Sequence, residues 1–196
     1  MKFAYSLLTA LALAAANAYT PPADLEDGVY LVDTSSPGDS AKTRRNLEER
    51  LVRIGDIIQA DPAAGTSENN VKRDVFTNHE RGHSCHDANT MMLTDYSNAM
   101  ASFKAQCEQK KVPARKKNGL ICSGKQGILY AKAGSSIVYH CNVGCSKQNC
   151  GGGHIQPFEE WADKTCGRLK GGFFYSDWDF TMGRDEWGSS FCNQVI

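Results

Sequence analysis

Residues 127–142 read "GILYAKAGSSIVYHCN". "GILYAK" and "SIVYHCN" are dense in β-branched and aromatic side chains, and the short Ala-Gly-Ser stretch between them is turn chemistry, so the segment predicts an antiparallel β-hairpin. "GLICSG", just upstream, is further strand material. On the N-terminal side, the segment from about Asp87 to Gln109 places Met92, Tyr96, Ala99, Met100, Phe103 and Cys107 on one helical face. On the C-terminal side, a second helix is expected to begin near Pro157. Proline suits a first turn, and Glu159 and Glu160 would complement the dipole there. Its apolar face would be Phe158, Trp161, Ala162, Cys166 and Leu169. Residues 171–183, "GGFFYSDWDFTMG", alternate strictly. Phe174, Trp178, Phe180 and Met182 share one parity and Phe173, Tyr175, Asp177 and Asp179 the other, which predicts one half-buried strand with its tryptophan inward. The order helix, strands, helix, strands implies an α+β sandwich, two helices on one face of an antiparallel sheet.

The first residues, "MKFAYSLLTALALAAANA", combine a lysine, an apolar run and the small-residue site Ala16-Asn17-Ala18, so residues 1–18 read as a secretory signal peptide cut after Ala18. The eight cysteines all fall from Cys85 onward: Cys85, Cys107, Cys122, Cys141, Cys145, Cys150, Cys166 and Cys192. An even set in an exported chain reads as four disulfides with no free thiol. Their connectivity stays open; closing the longest loop favours Cys85 with Cys192.

The polar stretch before the first cysteine ends in Lys72-Arg73, a dibasic pair that a kexin-type secretory protease would cut. Residues 19–73 are therefore expected to be a pro-segment and 74–196 the mature domain. Within the pro-segment "GVYLVD" suggests a short strand able to protect a sheet edge. Leu47, Leu51, Ile54 and Ile58 lie at helical spacing, an apolar stripe that the mature domain would cover.

Asn78–Asp87, "NHERGHSCHD", contains the H-E-x-x-H spacing of zinc metalloproteases at His79, Glu80 and His83. That chemistry needs a helix, on which residues i and i+4 share a face and one metal. Gly82 and the polar flanks argue instead for a loop of solvated histidines, with neither metal nor cofactor. Cys141-x3-Cys145-x4-Cys150-x3-His154 resembles a four-ligand metal site, but its spacing fits no zinc knuckle and export favours disulfides. Gly151-Gly152-Gly153 lacks phosphate-loop context and reads as a flexible lead into the second helix. No G-x-S-x-G elbow occurs, and the nameable acid/base candidates, Glu159, Glu160, His140 and His154, all have simpler structural roles.

Residues 74–196 hold 14 Lys and Arg against 12 Asp and Glu, a balance of +2 that gives no case for nucleic acid. The cluster Lys110, Lys111, Arg115, Lys116 and Lys117 reads as a solvated loop, or as a patch for anionic lipid or wall polymer. Trp187, in "GRDEWGSS", is left without a structural role and joins that cluster as a possible binding surface.

"LEDGVY" soon after the signal, "SIVYHCN" before a cysteine-rich loop and "DWDFTMGRDEWGSSFC" at the end resemble the small secreted cysteine-rich effectors of filamentous fungi. More loosely, the layout is similar to the necrosis-inducing effector family and to killer-toxin-like α/β sandwiches. The resemblance implies a monomeric virulence-type protein, secreted to the extracellular space, that binds a protein, glycan or lipid target there and carries no inherited catalytic residue. Two other classes stay open: a killer-type toxin acting on membranes or channels, and a small secreted hydrolase of zincin, RNA-cleaving or glycan-cleaving type.

Overall fold

The structure, a computed structural model, describes residues 18–33, 50–60, 79–115, 117–118, 121–122 and 125–192. The signal sequence up to Asn17, Leu47, the Lys72-Arg73 pair and Lys116 lie outside these residues. The chain divides into two compact units, 1–25 with 188–196, and 26–187. In the smaller one, Tyr19 and Phe191 form an antiparallel bridge, each amide donating to the other's carbonyl at 2.8 and 3.1 Å. Their rings meet edge to face at 5.4 Å, and the hydroxyls of Thr20 and Ser190 are 2.9 Å apart.

The larger unit is built on β7 (Gly127–Ala133) and β8 (Ser136–Asn142), the expected hairpin, both strands buried along their whole length. Gly134 turns the chain with a φ of 51°. A side chain there would also strike Asp95, whose Oδ2 accepts from the amide and hydroxyl of Ser135 at 2.8 and 2.9 Å. Glycine thus fits the turn both for its backbone and for the carboxylate packed on it.

β8 pairs with β11 (Phe180–Glu186), β11 with β10 (Lys170–Ser176), and β10 with the edge strand β3 (Glu80–Thr90). Beyond β7 lie β1 (Gly28–Asp33) and β2 (Arg50–Gly55), completing an antiparallel sheet of order β2-β1-β7-β8-β11-β10-β3. Residues 171–183 are therefore two strands and a turn, not the single strand their alternation suggests. β2 likewise corrects the helical stripe expected at Leu51 and Ile54, and Ile58, expected to be covered with them, lies beyond the strand and is 48% exposed. Leu51 pairs with Val32, Val52 with Leu31, and a bulge then leaves Ile54 unpaired between Arg53 and Gly55. Neighbouring register positions face opposite ways, so Leu51 and Val52 serve different sheet faces.

Helix α1 (Leu93–Cys107) buries Tyr96, Ala99, Met100, Phe103 and Cys107 of the expected face against β7 and β8, whereas Met92, expected with them, precedes the helix and is 63% exposed. Residues 87–90, expected in this helix, belong to β3. Helix α2 (Gly152–Thr165) packs on β10 through Ile155, Phe158, Trp161 and Ala162. It begins at Gly152, so two of the three glycines read as a flexible lead are helical and Glu159 and Glu160 sit mid-helix rather than at its dipole. Pro157 lies inside it. One core joins both helices to Val29, Leu129, Ala131, Val138, Phe174, Phe180 and Met182 of the sheet. The fold is thus α+β, with two helices among the described residues and a large antiparallel sheet. None of those helices is long and apolar enough to cross a membrane.

All eight cysteines are in disulfides. Cys85 bonds Cys166, Cys107 bonds Cys150 and Cys122 bonds Cys145, while Cys141 and Cys192 are bonded too. The expected Cys85–Cys192 bridge is thereby corrected, because strand pairing and not loop length decides proximity. β3 lies beside β10 with Cys85 opposite Gly172, and a side chain on Gly172 would come within 2.8 Å of the Cys166 sulfur.

Candidate functional site

The turn between β10 and β11 presents the most distinctive chemistry. Ser176 Oγ accepts from the Trp178 amide at 3.1 Å, the Asp179 amide donates to Ser176 O at 3.2 Å, and Asp179 adopts a φ of 61°. This is the three-residue hairpin loop in which the last residue takes the left-handed conformation, tolerable for aspartate. Its surroundings hold it firmly. The Asp177 amide donates to His79 O, the Val143 amide to Asp179 O, and Gln148 Nε2 to Trp178 O, all at 2.9 Å. Trp178, expected in the core, instead stands at this tip with 39% of its surface exposed.

Histidines surround it. The His79 ring lies 3.9 Å from Trp178, tilted by 34°, with Nδ1 3.0 Å from Asp177 Oδ1. His154, from the first turn of α2, approaches Trp178 edge-on at 5.4 Å and Phe180 at 5.7 Å. Beneath them His140 stacks on Phe180 at 5.0 Å. Burial holds His140 neutral, its pKa pushed down to about 3, and lowers His154 as well. Alongside, His83 is hydrogen-bonded to Glu80 and meets Trp161 edge-on at 5.5 Å, and Trp161 continues to Phe174 at 5.4 Å.

His79, Glu80 and His83 therefore come together with this aromatic row, but not on a helix, and not in the expected loop. Glu80 begins β3, and backbone pairing with β10 holds the segment extended despite its polar side chains. His79 precedes β3 and packs on Trp178, whereas His83 lies within the strand opposite Phe174 and packs on Trp161, so the two rings lack the shared helical face that the zinc motif needs. Each histidine Nδ1 meets a carboxylate instead. Among the described residues no group of three or more His, Cys, Asp or Glu is placed to hold a metal ion.

The other sequence candidates are scattered. Lys110 and Lys111 are exposed beyond α1, whereas Arg115 is half-buried, its amide donating to Gly144 O at 3.0 Å and its pKa lowered by burial. Lys117 starts the two-residue strand β5 (Lys117–Asn118), paired with β6 (Ile121–Cys122). Trp187 lies at the opposite end of β11 from the tip, where Lys132 Nζ sits 4.9 Å over its ring and its amide donates to Ser135 O.

Two buried polar groupings have no sequence signature. Arg184 is fully buried. Its Nε donates to Lys170 O and Nη2 to Gly167 O, both at 2.9 Å, and Nη1 meets Tyr96 Oη at 3.2 Å and Asp163 Oδ1 at 2.6 Å. Tyr96 Oη in turn donates to Glu159 Oε1 at 3.1 Å, and burial raises the pKa of both groups. On the other sheet face, His86 Nδ1 lies 2.5 Å from the buried Asp185 carboxylate, which raises the histidine's pKa. Each grouping is closed by partners inside the fold, which suits structure more than turnover.

Comparison with protein-family models, with curated proteins and with solved structures gives no match to this chain. The likeness to fungal effectors and killer-toxin-like sandwiches consequently carries no family assignment.

Proposed function

We propose that this is a secreted, disulfide-stapled protein of the effector type that acts outside the producing cell by binding a glycan, with the β10–β11 tip as its contact surface. One observation carries the reading: Trp178 stands exposed on a turn that is hydrogen-bonded on every side, flanked by Asp177 and Asp179. An indole ring offers a flat apolar face to the C–H side of a sugar ring, while neighbouring carboxylates and imidazoles accept or donate to its hydroxyls. A turn held this firmly loses little conformational freedom on binding. The signal-like N-terminus, the fully paired cysteines and the resemblance to fungal effectors support an extracellular site of action. The helices on an antiparallel sheet support the killer-toxin-like sandwich as the finer description of the fold.

The test is sedimentation of the oxidised protein with insoluble chitin, cellulose and β-glucan, followed by a soluble glycan array. Wild type binds at least one of these, and Trp178→Ala lowers affinity at least tenfold while its thermal unfolding stays close to wild type. Equal binding by both proteins, or no binding by wild type to any glycan, overturns the proposal.

A further inference from the structure

Residues 19–33 and 50–60 precede the dibasic pair, where a departing leader would be expected, yet the fold uses both stretches. β1 is an interior strand, paired with β7 from Gly28–Lys132 to Val32–Ile128 and with β2 on its other side. Val29 and Val32 are completely buried, Tyr30 is 4% exposed, and the Tyr30 and Tyr130 rings stack at 5.3 Å. Asp27 closes the β7–β8 turn, taking Lys132 Nζ at 2.5 Å and the Gly134 amide at 2.9 Å. Beyond β2 the chain runs as a strap over α1. The Ile58 amide donates to Ser102 Oγ at 2.7 Å, the Ala60 amide to Asn98 Oδ1 at 2.8 Å, and Asn98 Nδ2 to Gln59 Oε1 at 3.1 Å. Ile54 and Ile57 pack on the core. Separately, in the smaller unit, Tyr19 is bridged to Phe191.

We propose that residues 19–60 are a permanent part of the folded protein, so that a chain cut anywhere between Ala60 and His79 persists as a two-piece molecule. The partner of the β7 edge is this chain's own β1, and that of Asn98 and Ser102 on α1 is the strap that follows β2. Removing β1 would leave β7 with unpaired backbone groups and uncover Leu129 and Ala131, the open apolar edge that folded proteins avoid. No cysteine precedes Cys85, so the union is entirely non-covalent. Processing at Lys72-Arg73 then frees chain ends without shedding a pro-segment.

A sequence-specific protease site substituted for Lys72-Arg73 in the full chain allows the folded, oxidised protein to be nicked at will. Both pieces are expected to co-elute on gel filtration at one-to-one stoichiometry by intact mass, and to part only in denaturant. The amides of Val29–Val32 should stay as protected from hydrogen exchange as before the cut. In nicked Asp27→Asn, the pieces should separate at lower urea than in nicked wild type. Elution of the N-terminal piece by itself in neutral buffer overturns the proposal, whether the remainder stays folded or precipitates, as does an unchanged separation midpoint for Asp27→Asn.

Discussion

His140→Leu should remove a specific part of the protein's sensitivity to acid. The imidazole is 1% exposed, stacked on Phe180 and set between Leu129 and Met182 in the sheet register. Its pKa is pushed down to about 3, chiefly by burial, with the His154 charge adding to the effect. In the unfolded chain the same group titrates near 6.5. The folded value is therefore depressed. Above pH 6.5 both states are neutral and His140 contributes nothing to the pH dependence. Below it the unfolded state takes up a proton that the folded state refuses, and stability falls until the folded value is reached. At pH 5 the loss is about 2 kcal/mol, and it stays near that figure for any folded pKa below about 4. Leucine fills the same row without a titrating group. Urea unfolding followed by tryptophan fluorescence, with disulfides intact, should show the difference between His140→Leu and wild type moving by about 2 kcal/mol in the variant's favour from pH 7.5 to pH 5. The contribution of His154 is present in both proteins and largely cancels. A difference that is flat over this interval would mean that the buried imidazole is protonated in the fold or reached by water, and the reasoning would be wrong.

Two further outcomes bear on the buried polar groups. Arg184→Met should destabilise the protein by about 3 kcal/mol, because the carbonyls of Lys170 and Gly167 and the Asp163 carboxylate lose their donor; the half-exposed Asp163 keeps the figure at the low end of the range for broken buried pairs. An urea midpoint within error of wild type would contradict this. His86→Gln should act on the alkaline side. Asp185 raises the His86 pKa, so the pair's stabilisation is complete below pH 6.5 and fades as pH rises through the folded value. Wild type should then lose stability relative to the variant across that rise, and NMR titration of the His86 ring should show a pKa above 6.5.

What the sequence revealed, and what it hid, follows from the geometry of particular elements. The β7–β8 hairpin and the inner face of α1 were legible because apolar composition, turn chemistry and periodicity agree there. Residues 171–183 looked like one strand for a definite reason. Paired positions such as Phe174–Met182 and Phe173–Gly183 have the same parity, so a three-residue turn leaves the alternation intact and hides itself. That parity groups Trp178 with core residues although it occupies the turn. Leu51 and Ile54 stand three apart, as on a helix, because a bulge at Ile54 adds one residue to a period of two, while Ile58 lies beyond the strand. β3 has no apolar alternation; its pairing with β10 and its bond to Cys166 hold it, and neither is visible locally. Arg184 and the His86–Asp185 pair join residues more than ten positions apart, beyond the reach of any motif.

The strand order also sets a timetable for assembly. β7–β8 and β10–β11 close over two or three residues, and β8 lies directly beside β11, so residues 127–186 can build the middle of the sheet from local contacts and one longer pairing. Both flanks are added across much greater separations, β1 to β7 and β3 to β10. Closing long loops before their contacts form is slow. The N-terminal half of the chain, though made first, must wait for the C-terminal half before it finds a place. Until β7 and β10 have been made, β1 and β3 lack the neighbours that hold them in the sheet.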